Sequence, residues 1–391
     1  MSRPRRLAAA GAVWLASFAA LRLSFLAPER CPDAAPDDFV AAAVWAGEWM
    51  ERNQGDDGRY VYEYDRRADR ILPGYNIVRH AGVTMSLYQL ARSGHMETLA
   101  PADHGLDEML EHLVPAAGGV ALVESGSTTA RLGASALMAA ALAQRRAATG
   151  DARYDVELRG LGLFMTSLIT SQGQMLSEYD LDAGVPVAGR TSRYSTGEAA
   201  WAFAQLHNMF PGEGWDGATY DVLDYLATAR DEVEDIAVPP WADQWAAYTL
   251  GEAAAWGLSE DHVAYARSLA ARFGVLLRTE SQKEGWPVPF VDHRARGAGL
   301  GVWAEGIGAL GHAAAVDTRL ADLRVPIHAR LTCAAAILVE RQYDAADAAG
   351  SRSPGLVDGA WFRDGVTRMD DQQHVLSGLL VAAGELGPVE P

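Results

Sequence analysis

Three times along this chain a glycine is followed seven residues later by an aspartate: Gly58 to Asp65, Gly173 to Asp180 and Gly285 to Asp292. The first two units also share Glu-Tyr-Asp, at Glu63-Tyr64-Asp65 and Glu178-Tyr179-Asp180, and an ungapped offset of 115 residues superposes Gly74 on Gly189 and Gly82 on Gly197. An internal period constrains the architecture more than any single motif does, because each unit must find the same local solution.

Each Gly-Asp unit lies between two helical segments, so the repeat is made of helical hairpins. Apolar residues three and four apart predict outer helices over residues 38–52, 104–115, 154–171, 218–230, 260–280 and 323–342. Six inner segments alternate with them, opening near His80, Arg131, Thr196, Trp241, Trp303 and Asp370. These are far richer in Ala, Gly, Leu and Trp, as in Ala134-Ser135-Ala136-Leu137-Met138-Ala139-Ala140-Ala141-Leu142. A helix that is apolar nearly all round must be covered on nearly all sides, which assigns these segments to an interior ring. Three repeats of two hairpins predict an all-α fold, a closed (α/α)6 toroid forming a single domain over residues 33–391. Small β-hairpins are expected in the loops leading into the odd-numbered inner helices. An open superhelix would need polar capping repeats at its ends, and the sequence shows no atypical terminal pair.

The repeat runs through without a Ser-, Pro- or Gly-rich linker, which outweighs the two or three domains that 391 residues would otherwise suggest. A formal net charge of −18 argues against a nucleic-acid partner, whose phosphates require a basic footprint. Residues 1–32 are of another kind. Arg3, Arg5 and Arg6 precede an apolar run from Leu7 to Ala20 that continues past Arg22 to Leu26. A basic start followed by such a run marks an export signal or a membrane anchor, so the domain is expected outside the cytoplasm, released or tethered by this segment. Export would permit a disulfide between Cys31 and Cys333, and ring closure would bring the sixth outer helix near the first. The reading adopted from sequence is instead that Cys333 is a small buried residue in Leu331-Thr332-Cys333-Ala334. Two cysteines make no zinc site, no histidine pair has zinc-ligand spacing on a helix, and neither a metal nor a cofactor is expected.

In a helical toroid the loops leading into the inner helices converge at one mouth, so the repeat itself locates the site. Those openings carry charge on otherwise apolar helices, and Glu198, Asp243, Glu305 and Asp371 stand out, since carboxylates are seldom buried without a purpose. The competing role is N-terminal capping: Ser195-Thr196-Gly197-Glu198 has capping-box spacing. Asp371-Gln372 repeats Asp243-Gln244 at the corresponding place, and Trp241 and Trp245 flank Asp243. Arginines gather towards the mouth: Arg66, Arg67, Arg70 and Arg79, then Arg190 and Arg193, then Arg294 and Arg296 beside His293, then Arg363 and Arg368. Of these, Arg79, Arg193 and Arg368 directly precede inner helices and would hold an anionic group. Aromatic residues at the mouth, among them Tyr194, Trp241, Trp245, Trp286 and Trp303, offer flat faces on which sugar rings stack.

The alternating hairpins with acidic and aromatic inner-helix openings resemble the six-hairpin glycosidase-like superfamily, a group of (α/α)6 toroids that includes glycoside hydrolases, unsaturated uronyl hydrolases and sugar epimerases. Tyr75-Asn76-Ile77-Val78-Arg79-His80-Ala81-Gly82 and Arg368-Met369-Asp370-Asp371-Gln372-Gln373-His374 are similar to segments of uncharacterised bacterial members. The resemblance implies an oligo- or polysaccharide substrate. Its leading form is a glycoside hydrolase acting on a cell-surface or extracellular glycan that bears anionic groups, with Asp371 as general base, Asp243 as general acid, and Glu198 and Glu305 as substitutes. Arg79, His80, Arg193, Tyr194, Trp241, Trp245, Trp303, Arg368, Asp370 and His374 would bind substrate. Two other readings remain open: a sugar epimerase or polysaccharide lyase in which His80, His374 or Tyr194 moves a proton at a carbon, and a non-catalytic glycan-binding or polysaccharide-assembly factor.

Overall fold

The computed structural model describes residues 3–24, 29–236, 241–281 and 295–389. Twelve helices build the ring: α1 (Pro36–Arg52), α2 (Ile77–Arg92), α3 (Leu99–Leu110), α4 (Leu132–Thr149), α5 (Asp155–Thr166), α6 (Ser195–Met209), α7 (Trp215–Thr228), α8 (Gln244–Ala253), α9 (Glu260–Ser281), α10 (Gly297–Val316), α11 (Arg324–Glu340) and α12 (Met369–Ala383). The even-numbered helices form the inner ring, each packing on the next, and α12 packs back on α2. That last contact makes the fold a closed (α/α)6 toroid. The outer helices stand behind them, and α1 lies mainly against α12, so the first outer helix seals the last inner one. Large side chains such as Trp49, Trp201, Phe164, Phe203 and Phe273 are fully buried.

Local chemistry fixes the helix ends. Pro36 opens α1 at a position where its missing N–H costs nothing, and the Asn76 side chain accepts from Val78 N at 2.9 Å to cap α2. Gly150 and Gly384 close α4 and α12 in the left-handed conformation.

The repeat has a clear structural basis in its first two copies. β1 (Glu63–Asp65) pairs with β2 (Arg70–Ile71) as β6 (Glu178–Asp180) pairs with β7 (Val185–Pro186), with Tyr64 and Tyr179 buried at equivalent points. Asp65 and Asp180 each accept backbone N–H bonds two residues on, holding the hairpin turns. Gly58 and Gly173 both have φ +78°, and a Cβ on either would strike a carbonyl oxygen of the following outer helix, His104 or Asp221. The third unit, Gly285 to Asp292, lies outside the described residues, as do Trp286, His293 and Arg294.

Other strands were not expected. β3 (Leu113–Ala116) and β4 (Gly119–Leu122) form a hairpin ahead of the second inner helix, turning at Ala117 and Gly118 with positive φ. Accordingly α3 ends at Leu110 rather than at 115, because Leu113-Val114-Pro115 suits a strand better than a helix. Two more strands, β5 (Thr129–Arg131) and β8 (Val366–Arg368), add to β6 and β1 respectively, so each repeated hairpin is extended by the strand that leads into the inner helix one place before it in the closed ring.

Cys31 and Cys333 form a disulfide with their Cα atoms 5.0 Å apart, which corrects the reading of Cys333 as an unpaired core residue. Cys333 is buried in α11 as its apolar neighbours required, but ring closure sets α11 beside the segment entering α1, within reach of Cys31. Glu29 adds an ion pair to Arg330 of the same helix. The N-terminal helix Arg3–Ser24 exposes Leu7, Trp14 and Phe18; among the described residues no helix is long and apolar enough to cross a membrane.

Candidate active site

All six inner helices contribute to one axial cavity of about 1020 Å³ at the mouth where their first turns converge. Glu198, Asp370, His374, Arg79, Arg193, Tyr194, Trp241, Trp245 and Trp303 line it. A second cavity, of about 930 Å³, opens on the flank beside α11; none of Glu198, Asp370 and His374 lines it, so the axial cavity is the candidate site.

Asp243 and Asp371 do not line this cavity. Asp243 caps α8 by accepting from Trp245 N and Ala246 N, both at 3.1 Å, and its other oxygen receives Arg230. Asp371 accepts from Arg368 N at 3.0 Å and Ala298 N at 2.9 Å, and takes Arg296 through both oxygens. The likeness of Asp371-Gln372 to Asp243-Gln244 therefore reflects a shared structural device, a helix-capping carboxylate fastened by an arginine from a neighbouring element. Both carboxylates are fully occupied, which corrects their casting as base and acid. His80 is corrected likewise. It is buried, its Nε2 donates to Gly105 O at 2.7 Å, and its Nδ1 accepts from the Tyr75 hydroxyl at 2.6 Å. Burial pushes its pKa down to about 4, so it is a neutral core histidine. Arg368 turns away from the cavity to Glu63, at 3.2 Å.

The two remaining carboxylates are differently placed. Glu198 makes no capping box with Ser195, and among the described residues its carboxyl accepts no hydrogen bond. It reaches the cavity past Gly133 of α4, where a Cβ would collide with its Oε2. Burial, reinforced by the negative charge of Asp243, pushes its pKa up to about 8, so it carries its proton at neutral pH. Glu305 lies deeper in α10, wholly buried, and its Oε2 meets His374 Nδ1 at 2.9 Å. Burial alone would lower the His374 pKa, but the Glu305 carboxylate reverses this and lifts it above the ordinary 6.5. With Nδ1 held by Glu305, the imidazole presents Nε2 as its remaining proton-transfer atom. This is the arrangement of a general base oriented by a third group.

Around this pair the walls are aromatic and polar. Trp245 stands 6.0 Å from the His374 ring, and Tyr194 meets Trp241 edge-on at 5.4 Å. Arg79 pairs with Asp370 at 3.4 Å and donates to the Tyr62 hydroxyl at 2.5 Å. Sequence reasoning missed Arg272, which reaches the cavity from the outer helix α9, along with Gln244 and Gln373. Nothing in the period marks an outer-helix side chain as a cavity residue. Among the described residues, five that line the cavity each leave a buried polar atom without a hydrogen-bond partner: Ser195 Oγ, Trp241 Nε1, Arg272 Nε, Asp370 Oδ1 and Gln373 Nε2. Buried polar atoms are rarely left unpaired, so these are the atoms of the wall with hydrogen-bonding capacity left for a ligand.

No protein-family model matches the sequence, and no curated protein matches it. Solved structures do match. A sugar epimerase from a ruminal bacterium superposes with TM-score 0.61 at 11% identity, covering 88% of this chain and 99% of that one. A family 76 α-mannanase from Bacteroides thetaiotaomicron gives TM-score 0.61 at 10% identity, covering 88% and 95%. Cellobiose 2-epimerase from Spirochaeta thermophila gives 0.59 at 14% identity, covering 90% and 97%. The chain therefore shares the (α/α)6 fold of these solved structures. At these identities the likeness fixes the architecture, and the reaction must be argued from the site.

Proposed function

We propose that this protein is an exported carbohydrate-active enzyme that moves a proton at a sugar carbon, as a sugar epimerase or isomerase does. The observation that carries this reading is the His374–Glu305 pair facing the axial cavity, with a protonated Glu198 in the same wall. With a reducing sugar in its open-chain form, neutral His374 takes the proton from the carbon next to the carbonyl. Glu198 donates to the carbonyl oxygen, giving an enediol. Return of the proton to the other face of that carbon, or to its neighbour, yields product with no net gain or loss of water. Tyr194, whose pKa burial raises, is a poor base here and is better suited to contact with the sugar.

The fold is shared with sugar epimerases and mannanases, which supports a carbohydrate ligand. Export is supported by the basic and apolar start of the chain and by the Cys31–Cys333 bridge, a bond kept mainly in oxidising compartments. The test is incubation of the full chain with reducing mono- and disaccharides in D2O. Exchange of the proton next to the carbonyl, lost in His374→Asn, is the expected outcome; full exchange in that variant would end the assignment.

Asp370 supports a second reading, hydrolysis of a cell-surface glycan. Its Oδ1 is buried and unpaired, so Glu198 as acid and Asp370 as base would form a carboxyl pair across the cavity. Release of new reducing ends from a polysaccharide, without isotope exchange, would select it. Binding with neither outcome would select the non-catalytic glycan-binding role.

A further inference from the structure

The charged side chains of the cavity wall divide into two kinds. Arg79 faces Asp370, and Arg131 lies 3.8 Å from Glu124. Arg193 and Arg272, by contrast, have no carboxylate within ion-pair distance among the described residues, although the chain carries a net charge of −18. Asp235 lines the same cavity yet pairs with neither. Neither guanidinium is neutralised by a described carboxylate, so each keeps the capacity for a charge-assisted pair with an anionic ligand.

Arg193 is held in place, and Arg272 is left with an unused donor. The Arg193 carbonyl accepts from the buried Arg230, the same residue that fastens Asp243, and its guanidinium lies over the Trp241 indole at 5.6 Å. Stacking of this kind leaves the planar N–H edge free to donate. Arg272 extends from α9 into the cavity wall, where its buried Nε has no acceptor among the described residues. A fixed cationic edge and an orphaned cationic donor in one polar cavity await the same complement.

We infer that the cavity takes an acidic sugar, whose carboxylate or phosphate is received by Arg193 and Arg272. This rests on the reading that the cavity is the sugar site, and it names the substrate class. Arg79 is not the anion receptor, since Asp370 already neutralises it.

The test is ligand-observed NMR on the full-length His374→Asn variant, which binds without turnover, using D-glucuronate, D-glucose 6-phosphate, D-glucose and inorganic phosphate. The expected result is that glucuronate or glucose 6-phosphate binds about tenfold more tightly than glucose, equivalent to about 1.4 kcal/mol. That preference should vanish in Arg193→Ala and in Arg272→Ala, return in part in Arg193→Lys, and fall with added salt, while glucose binding stays the same. Preference for glucuronate alone identifies a uronate, and for glucose 6-phosphate alone a phosphosugar. Equal binding of charged and neutral sugars, or a preference that survives both alanine variants, overturns the inference and leaves the carbohydrate reading standing. Inorganic phosphate binding as tightly as glucose 6-phosphate also overturns it. Failure of every sugar to bind removes the carbohydrate reading itself.

Discussion

Arg230 and Asp243 form an ion pair from which water is excluded, each side chain only about 1% exposed. Arg230 comes from the short helix that follows α7, and Asp243 caps α8, so the pair ties an outer element to an inner one. Removing one charge leaves the other buried and uncompensated. Asp243→Asn is therefore expected to lower unfolding free energy by about 3–5 kcal/mol, read by chemical denaturation, while the folded fraction stays active. Asp371→Asn should cost less, about 2 kcal/mol, because Arg296 remains partly solvated. Loss of activity at unchanged stability in either variant would return these carboxylates to the chemistry.

The pH profile of the reaction follows from Glu198 and His374. The base works when His374 is neutral, above a pKa lifted beyond 6.5, and the acid works while Glu198 keeps its proton, below about 8. A narrow bell between these limits is expected for kcat/KM. Glu198→Gln should abolish most activity and remove the alkaline limb from whatever remains.

The same carboxyl weakens the fold at high pH. Unfolded Glu198 loses its proton near 4.5 and folded Glu198 only near 8, so between these values the folded state binds more protons and stability falls as pH rises. Glu198→Gln should thus raise the unfolding midpoint at pH 8 and leave it nearly unchanged at pH 4. A midpoint that shifts equally at both would show that the carboxyl is not protonated in the folded protein.

Glu305 acts through His374. In Glu305→Gln the imidazole loses the charge that raises its pKa, so the acidic limb of the profile should move to lower pH while kcat falls more than KM changes. A purely structural Glu305 would lower stability without moving the limb.

The Cys31–Cys333 bridge joins residues 302 positions apart. Cross-links that close long loops restrict the unfolded chain most, and Cys333→Ser is expected to cost about 2–5 kcal/mol, visible as an equal loss on adding reductant to the parent protein. No change on reduction would show that the bridge does not constrain unfolding.

Much of the architecture was legible in the residues because repetition and apolar periodicity are local signals. The spacing of Gly58 and Asp65, and its copy at Gly173 and Asp180, marked hairpins whose glycines must avoid a neighbouring carbonyl. The Ala-rich faces around Ala134–Leu142 marked helices that need cover on all sides. The site was only partly legible. Glu198, Asp370 and His374 sit at inner-helix openings and do reach the cavity, but Asp243, Asp371 and His80 sit at equivalent openings and do not. Their partners Arg230, Arg296 and Gly105 are remote or unremarkable in sequence, so nothing local separates a carboxylate that caps from one that is free to react.

The sequence alone determined the period, the two classes of helix and the mouth at which acidic and aromatic residues gather, since each depends on neighbours a few positions apart. Tertiary structure decided which charges are consumed and which stay available: Arg230 claims Asp243, Arg296 claims Asp371, and Glu305 orients His374 across 69 positions. Pairing of buried charges is settled by three-dimensional distance and lost solvent, and neither quantity is written along a chain.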